Sequence, residues 1–145
     1  YILQEMSELI QLKESDIEYL FTHSFFETFE RIVVRHIQEK QKQVPLNMVK
    51  NKILMMYDMK DHDAKEKHLY IWQPLDLKTL QVFINKFHMK LCKYFYNWCQ
   101  TQPRNEESDS NMDKTLVKLM KIETQKENVI KQVKKILYKI FEEKI

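Results

Sequence analysis

From Asp76 to Gln100 the chain reads DLKTLQVFINKFHMKLCKYFYNWCQ. Leu77, Leu80, Ile84, Phe87, Leu91, Tyr94 and Trp98 succeed one another at alternating steps of three and four. Residues so spaced share one face of an α-helix, here over about three heptads. Asp76 is a good N-cap, since a short carboxylate accepts from the free N–H groups of a first turn. The spacing predicts a helix over about residues 76–100, ~37 Å long at ~1.5 Å per residue. Phe83 and Phe95 widen the stripe. A helix this long and apolar reads as the centre of the fold, and its length also permits pairing with another chain.

Composition points the same way. The chain has 145 residues and no glycine, where average usage would supply about ten. Glycine provides positive φ in tight turns, phosphate loops and bulges. Its absence argues against dinucleotide-binding sites, P-loops, kinase folds, hairpin-rich β folds and hydrolase elbows. Hydrophobic residues at 43% and aromatics at 12% supply a core and exclude global disorder. The expectation is an all-α protein: one irregular bundle of six to seven helices, forming a single domain over residues 1–145.

Working outward, Ile2, Leu3, Met6, Leu9 and Ile10 mark a first helix to about residue 13. Ser15-Asp16-Ile17-Glu18 and Ser24-Phe25-Phe26-Glu27 read as capping boxes. They open helices over about 16–22 and 25–42, the second burying Phe25, Phe26, Phe29, Ile32, Val33 and Ile37. After the break at Pro45, Val49, Ile53, Met56 and Tyr57 read as the apolar face of another helix. Residues 58–68 read as a flexible charged loop. Leu69-Tyr70-Ile71-Trp72, closed by Pro74, reads as an extended segment packed on the bundle. Residues 101–110 read as a flexible linker, with Ser110 or Asn111 capping a helix that bears Leu116, Leu119 and Met120. Thr124-Gln125-Lys126-Glu127 opens a long C-terminal helix over about 125–144, with Ile130, Val133, Leu137, Ile140 and Phe141 inward.

No stretch approaches the ~20 apolar residues needed to span a bilayer, so no membrane association is expected. The chain opens Tyr1-Ile2-Leu3 without a signal peptide and reads as a piece of a longer protein. Cys92 and Cys99 lie seven apart on one helix, ~10 Å by helical rise and beyond the ~7 Å limit for a disulfide. Two such thiols fit a reducing compartment. The protein is therefore expected to be intracellular, in nucleus or cytoplasm, rather than a secreted helical cytokine.

Arg31 and His36 are the catalytic candidates. Arg31-Ile32-Val33-Val34-Arg35-His36 resembles the R-x4-H signature of HEPN ribonucleases, small helical domains that dimerise to bring two motifs together. The resemblance covers these two functional positions. It implies that Arg31 neutralises phosphate and His36 acts as general acid or base. Ile32 departs from the polar residue that often follows the Arg. Arg31, Arg35 and His36 also fit a solvated helix face.

The cluster Asp58, Asp61, His62, Asp63, Glu66, His68 has carboxylates and imidazoles that can bind metal. An EF-hand starting at Asp61 needs Gly where Glu66 stands and Glu where Trp72 stands. A charged loop is the better reading, and no metal or cofactor is expected. Neither cysteine can be paired with a base from sequence. Lys86, Lys90 and Lys93 on the long helix, with Lys131, Lys134 and Lys135 on the last, form stripes able to contact nucleic-acid phosphates. A net charge of only +3 weighs against that use, as does the scarcity of Arg, the usual base reader.

Residues Thr115–Ile122 and Val129–Phe141 resemble the final two helices of the TFIIS N-terminal domain and the related integrase-binding domain. Those bundles bind short linear motifs of nuclear proteins, so the resemblance implies a nuclear adaptor. It falls within residues 115–141, about 27 of the 145. The aromatics supply a more general reading. Tyr94, Phe95, Tyr96 and Trp98 surround the long helix, and one bundle face cannot bury all four. With Trp72 they are the candidate partner-binding residues, because Tyr and Trp anchor interfaces. The expected function is a non-catalytic scaffold or adaptor domain docking a helix or peptide of another protein, within a homo- or hetero-oligomer.

Overall fold

The computed structural model describes residues 2–40, 44–49, 53–59 and 70–143. Three helices come first: α1 (Leu3–Leu9), α2 (Glu14–Thr22) and α3 (Phe25–Lys40). Three strands follow: β1 (Leu46–Met48), β2 (Leu54–Met59) and β3 (Tyr70–Pro74). Helices α4 (Leu77–Gln100), α5 (Glu106–Met120) and α6 (Glu127–Glu143) complete the chain. The described residues are mostly helical, with six helices.

The sheet corrects the all-α expectation. β1, β2 and β3 form an antiparallel meander in that order, where residues 49–57 had read as helical. Leu46 and Met48 are buried while Asn47 is exposed. Leu54, Met56 and Asp58 are buried, and Met55 and Tyr57 less so. That is alternation of period two, the mark of a half-buried strand. A six-residue run that is apolar but for Asp58 does not distinguish helix from strand by pattern alone. The extended Leu69–Trp72 segment is present from Tyr70 as β3, which lies beside β2 with Tyr57 opposite Trp72. The expected 58–68 loop is corrected at its start, where Asp58 and Met59 belong to β2. Its remainder, with Asp61, His62, Asp63, Glu66 and His68, lies outside the described residues.

The caps explain the other shifts. Ser24 and Glu27 form the predicted capping box, each side chain accepting from the other's N–H at 3.1 Å. α2 begins at Glu14, and its Asp16 carboxylate accepts from the Lys13 N–H at 2.8 Å. Asn105 Oδ1 accepts from the Ser108 N–H at 2.8 Å. Helix α5 therefore starts at Glu106, and the expected linker shrinks to 101–105. The Thr124 hydroxyl donates to Asn85 Oδ1 on α4 at 3.1 Å instead of capping α6, which opens at Glu127.

α4 is continuous, and Asp76 accepts from the Thr79 N–H at 3.2 Å as predicted. Four of the seven seam residues, Leu80, Ile84, Phe87 and Leu91, are buried, and Tyr94 and Trp98 are half-buried. Phe83 and Phe95, which widen the stripe, are buried beside them. Leu77, at the helix start, is 48% exposed. α4 touches α1, α5 and α6. Against α3 it locks rings edge to face: Phe29 meets Phe87 at 5.0 Å and Phe83 at 6.2 Å, and Phe25 meets Phe87 at 6.0 Å. Every element except β3 contributes buried apolar side chains to this core. The Tyr138 hydroxyl of α6 accepts from the Leu54 N–H at 3.3 Å and ties the sheet to the helices.

Candidate functional site: an apolar groove between α4 and α5

The short 101–105 connection folds α5 back along α4. His88 Nε2 on α4 lies 2.8 Å from the Leu119 carbonyl near the end of α5. Between the two helices runs a groove of about 410 Å³. Phe95 and Leu119, both buried, form its floor. On its rim Tyr96 is 64% exposed, Met120 72% and Leu116 48%. Scattered exposed apolar residues are ordinary; these three lie along one concave line. Arg104, Asp109 and Asp113 make the end nearest the connection polar.

The groove also holds both cysteines, whose thiols are free. Cys92 Sγ lies 3.6 Å from His88 Nε2. A carbonyl only accepts, so the 2.8 Å contact to Leu119 requires the proton to sit on Nε2. That nitrogen then has no lone pair for the thiol. Burial pushes the Cys92 and Cys99 thiols up, opposite to the lowered pKa of a reactive cysteine.

The five aromatic candidates do not share one surface. Phe95 and Tyr96 belong to the groove. Trp98 instead packs on α2, 5.6 Å from Phe21, and its indole N–H donates to Glu14 at 3.2 Å. Tyr94 lines a separate hollow beside the end of α1. Trp72 is exposed on the sheet, 5.5 Å from Tyr57. In place of the last three, the groove uses Met112, Leu116 and Met120 of α5. Leu116 and Met120 share the Leu119 face of the helix expected to bear all three. Only Leu119 is covered, a difference set by where neighbouring elements lie and not by helical period.

Arg31 and His36 separate. Five helical steps turn by about 500°, which places the two side chains ~140° apart around α3. Arg31 lies over the Tyr19 ring at 4.6 Å and lines a hollow with Arg35 and Gln38. His36 is buried, and burial holds its imidazole below the usual pKa. The solvated-face reading is corrected as well, since His36 is buried and Arg35 is only 18% exposed. Its guanidinium donates to the buried Asp16 carboxylate at 2.6 and 2.8 Å and to the Gln11 carbonyl at 2.7 Å.

The lysine stripes divide between structural and exposed positions. Lys90 donates to the carbonyls of Ser7 and Glu8 at 3.0 Å each and to that of Ile10. This accounts for all three ammonium protons. Lys131 pairs with Glu127 at 2.9 Å on its own helix, and Lys134 lies 5.7 Å from the Tyr138 ring. Lys86, Lys93 and Lys135 are exposed.

No family model, curated protein or solved structure matches this chain. No described helix is long and apolar enough to cross a membrane.

Proposed function

We propose that this chain is a non-catalytic protein-interaction domain whose α4/α5 groove docks an amphipathic helix of a partner protein. The observation that carries the reading is the exposure of Tyr96, Leu116 and Met120 along one groove over a buried Phe95–Leu119 floor. Burying such side chains is the main source of binding energy in helix-in-groove recognition. The dimensions suit a helix. Eleven steps from Asp109 to Met120 give a wall ~16 Å long, about three turns. Methionine adapts its shape to an incoming surface, and Met112 and Met120 both line this one. The two free thiols, neither given a base at His88 Nε2, favour a binding role in a reducing, intracellular setting.

The test is a pull-down from cell extract with the wild-type chain, Leu116→Glu, Met120→Glu and Trp72→Ala, each first shown to fold by circular dichroism. Charging an anchor in a desolvated groove costs ~2 kcal/mol or more, roughly 30-fold in affinity. Both groove variants are expected to lose a partner that wild type and Trp72→Ala retain. A partner set unchanged by either groove substitution would refute the reading.

A further inference from the structure

The groove is not uniformly apolar, and its asymmetry says what its occupant carries. Asp109 and Asp113 stand one turn apart on α5 and both line the end nearest the α4–α5 connection. Asp109 Oδ1 is buried and makes no hydrogen bond in the folded chain. That oxygen is closed to a partner, so an incoming cation meets the rest of the half-buried Asp109 carboxylate and the exposed Asp113, where a charge-assisted hydrogen bond is stronger than a neutral one. Across from the two acids, α4 presents Phe95, Tyr96 and Cys99, none of them a cation. Arg104 also lines this end, which leaves two carboxylates against one guanidinium.

Resting on the docking reading above, we infer that the partner helix is basic at one end: apolar anchors over Leu116 and Met120, and a Lys or Arg one to two turns further on that reaches Asp109 and Asp113. The wall from Asp109 to Leu116 is seven steps, ~10 Å, so two turns of a partner helix separate its apolar anchor from its cation. The acids also set the register. Sliding the partner by one turn strands its cation over apolar side chains, and reversing it places the cation beside Met120.

The probe is a display library of 16-residue helical peptides with fixed Leu at three anchor positions. Flanking positions are randomised among Lys, Arg, Glu, Gln and Ala, and selection is on the full chain. Peptides whose binding is abolished by Leu116→Glu are expected to carry Lys or Arg at the flank two turns from an anchor. They should lose at least tenfold in affinity on Asp109→Asn/Asp113→Asn, and weaken as salt is raised. Asp113→Asn alone serves if the double variant does not fold.

If Leu116-dependent peptides show no basic excess, or bind the Asn variants equally well, the charge inference fails while the docking reading stands. If no selected peptide depends on Leu116, both fail. A concentration-dependent dimer in sedimentation that Leu116→Glu abolishes would mean that a second copy fills the groove, and would also overturn the inference.

Discussion

Replacing Arg35 by Met should be among the most damaging single substitutions in this protein. The Asp16 side chain is 0% exposed and that of Arg35 is 18% exposed. Asp16 receives two guanidinium hydrogen bonds, at 2.6 and 2.8 Å, and the Lys13 N–H at 2.8 Å. The Arg31 guanidinium is further off, with Nε at 3.9 Å. Hydrogen bonds to charged groups contribute ~1.5–3 kcal/mol each. Removing one partner of a buried ion pair costs ~3–5 kcal/mol, because the other charge is left enclosed. Arg35→Met is therefore expected to lower stability by ~3–5 kcal/mol, a large part of the ~5–15 kcal/mol typical of a domain.

The reverse substitution should be milder. Asp16→Asn keeps an acceptor for the Lys13 N–H, and the freed guanidinium keeps the Gln11 carbonyl at 2.7 Å and some solvent. A cost of ~1–2 kcal/mol is expected. Urea unfolding followed at 222 nm gives both values. The double variant should cost less than the sum of the singles, since each removes the other's stranded charge. Asp16→Asn costing as much as Arg35→Met would sink the reasoning, as would a loss below ~1 kcal/mol for Arg35→Met.

Other expectations follow from side chains that sequence reading assigned elsewhere. Lys90→Met should fray α1, with faster amide exchange there and a global loss of ~1–2 kcal/mol, since a cation at a helix C-terminus contributes up to about that much; protection unchanged in α1 would contradict it. Lys118 donates to the carbonyls of Leu20 and His23 at 2.7 and 2.9 Å, so Lys118→Met should act likewise on α2. His36 gives a pH signature. Burial lowers its pKa, and Lys40, Arg35 and Lys90 add repulsion that Glu39 opposes. The unfolded imidazole protonates first, so stability falls as pH drops from ~6.5 toward the folded-state pKa. His36→Gln should flatten that part of the urea-midpoint profile between pH 7 and 5; an unchanged slope would remove His36 as its source. Cys92 and Cys99 should react with iodoacetamide at pH 7.5 more slowly than free cysteine, and faster alkylation would mean that the thiols are not held up by burial.

The elements legible in sequence were those whose signal is local. Asp76, the Ser24–Glu27 box and the apolar run of α4 depend on neighbours within a turn or two, and the structure has them where they were read. The sheet was not legible, because Leu54–Met59 carries no turn glycine and its Leu54–Tyr57 stretch alternates buried with partly buried side chains of similar polarity. The groove was half legible. Surplus aromatics pointed to α4 at Phe95 and Tyr96, but Trp98 and Tyr94 sit on the same helix with different neighbours. Periodicity puts Leu116, Leu119 and Met120 of α5 on one face without showing that nothing covers two of them. Arg35, one turn from Arg31, outranks it because Asp16 lies nineteen residues upstream, a proximity that only the fold creates.

The missing glycines link several of these results. A helix commonly ends on a left-handed residue, usually glycine, whose following N–H groups satisfy the last carbonyls. α1 and α2 end differently. Ile10 and His23 are both extended, with φ/ψ of −63°/126° and −128°/163°. Lys90 of α4 takes the final carbonyls of α1, and Lys118 of α5 takes those of α2. Both donors lie more than eighty residues away in sequence, so no local signal marks where these helices stop. The same contacts change the meaning of the lysine stripe. Lys86, Lys90 and Lys93 look equivalent on a helical wheel, yet Lys90 is the one whose charge is held inside the protein, lowered in pKa by burial. Counting it toward a phosphate-binding surface assigns one ammonium group two incompatible positions. The helix termini therefore depend on tertiary packing, and α4 and α5, whose lysines close the ends of α1 and α2, are also the two helices that form the groove.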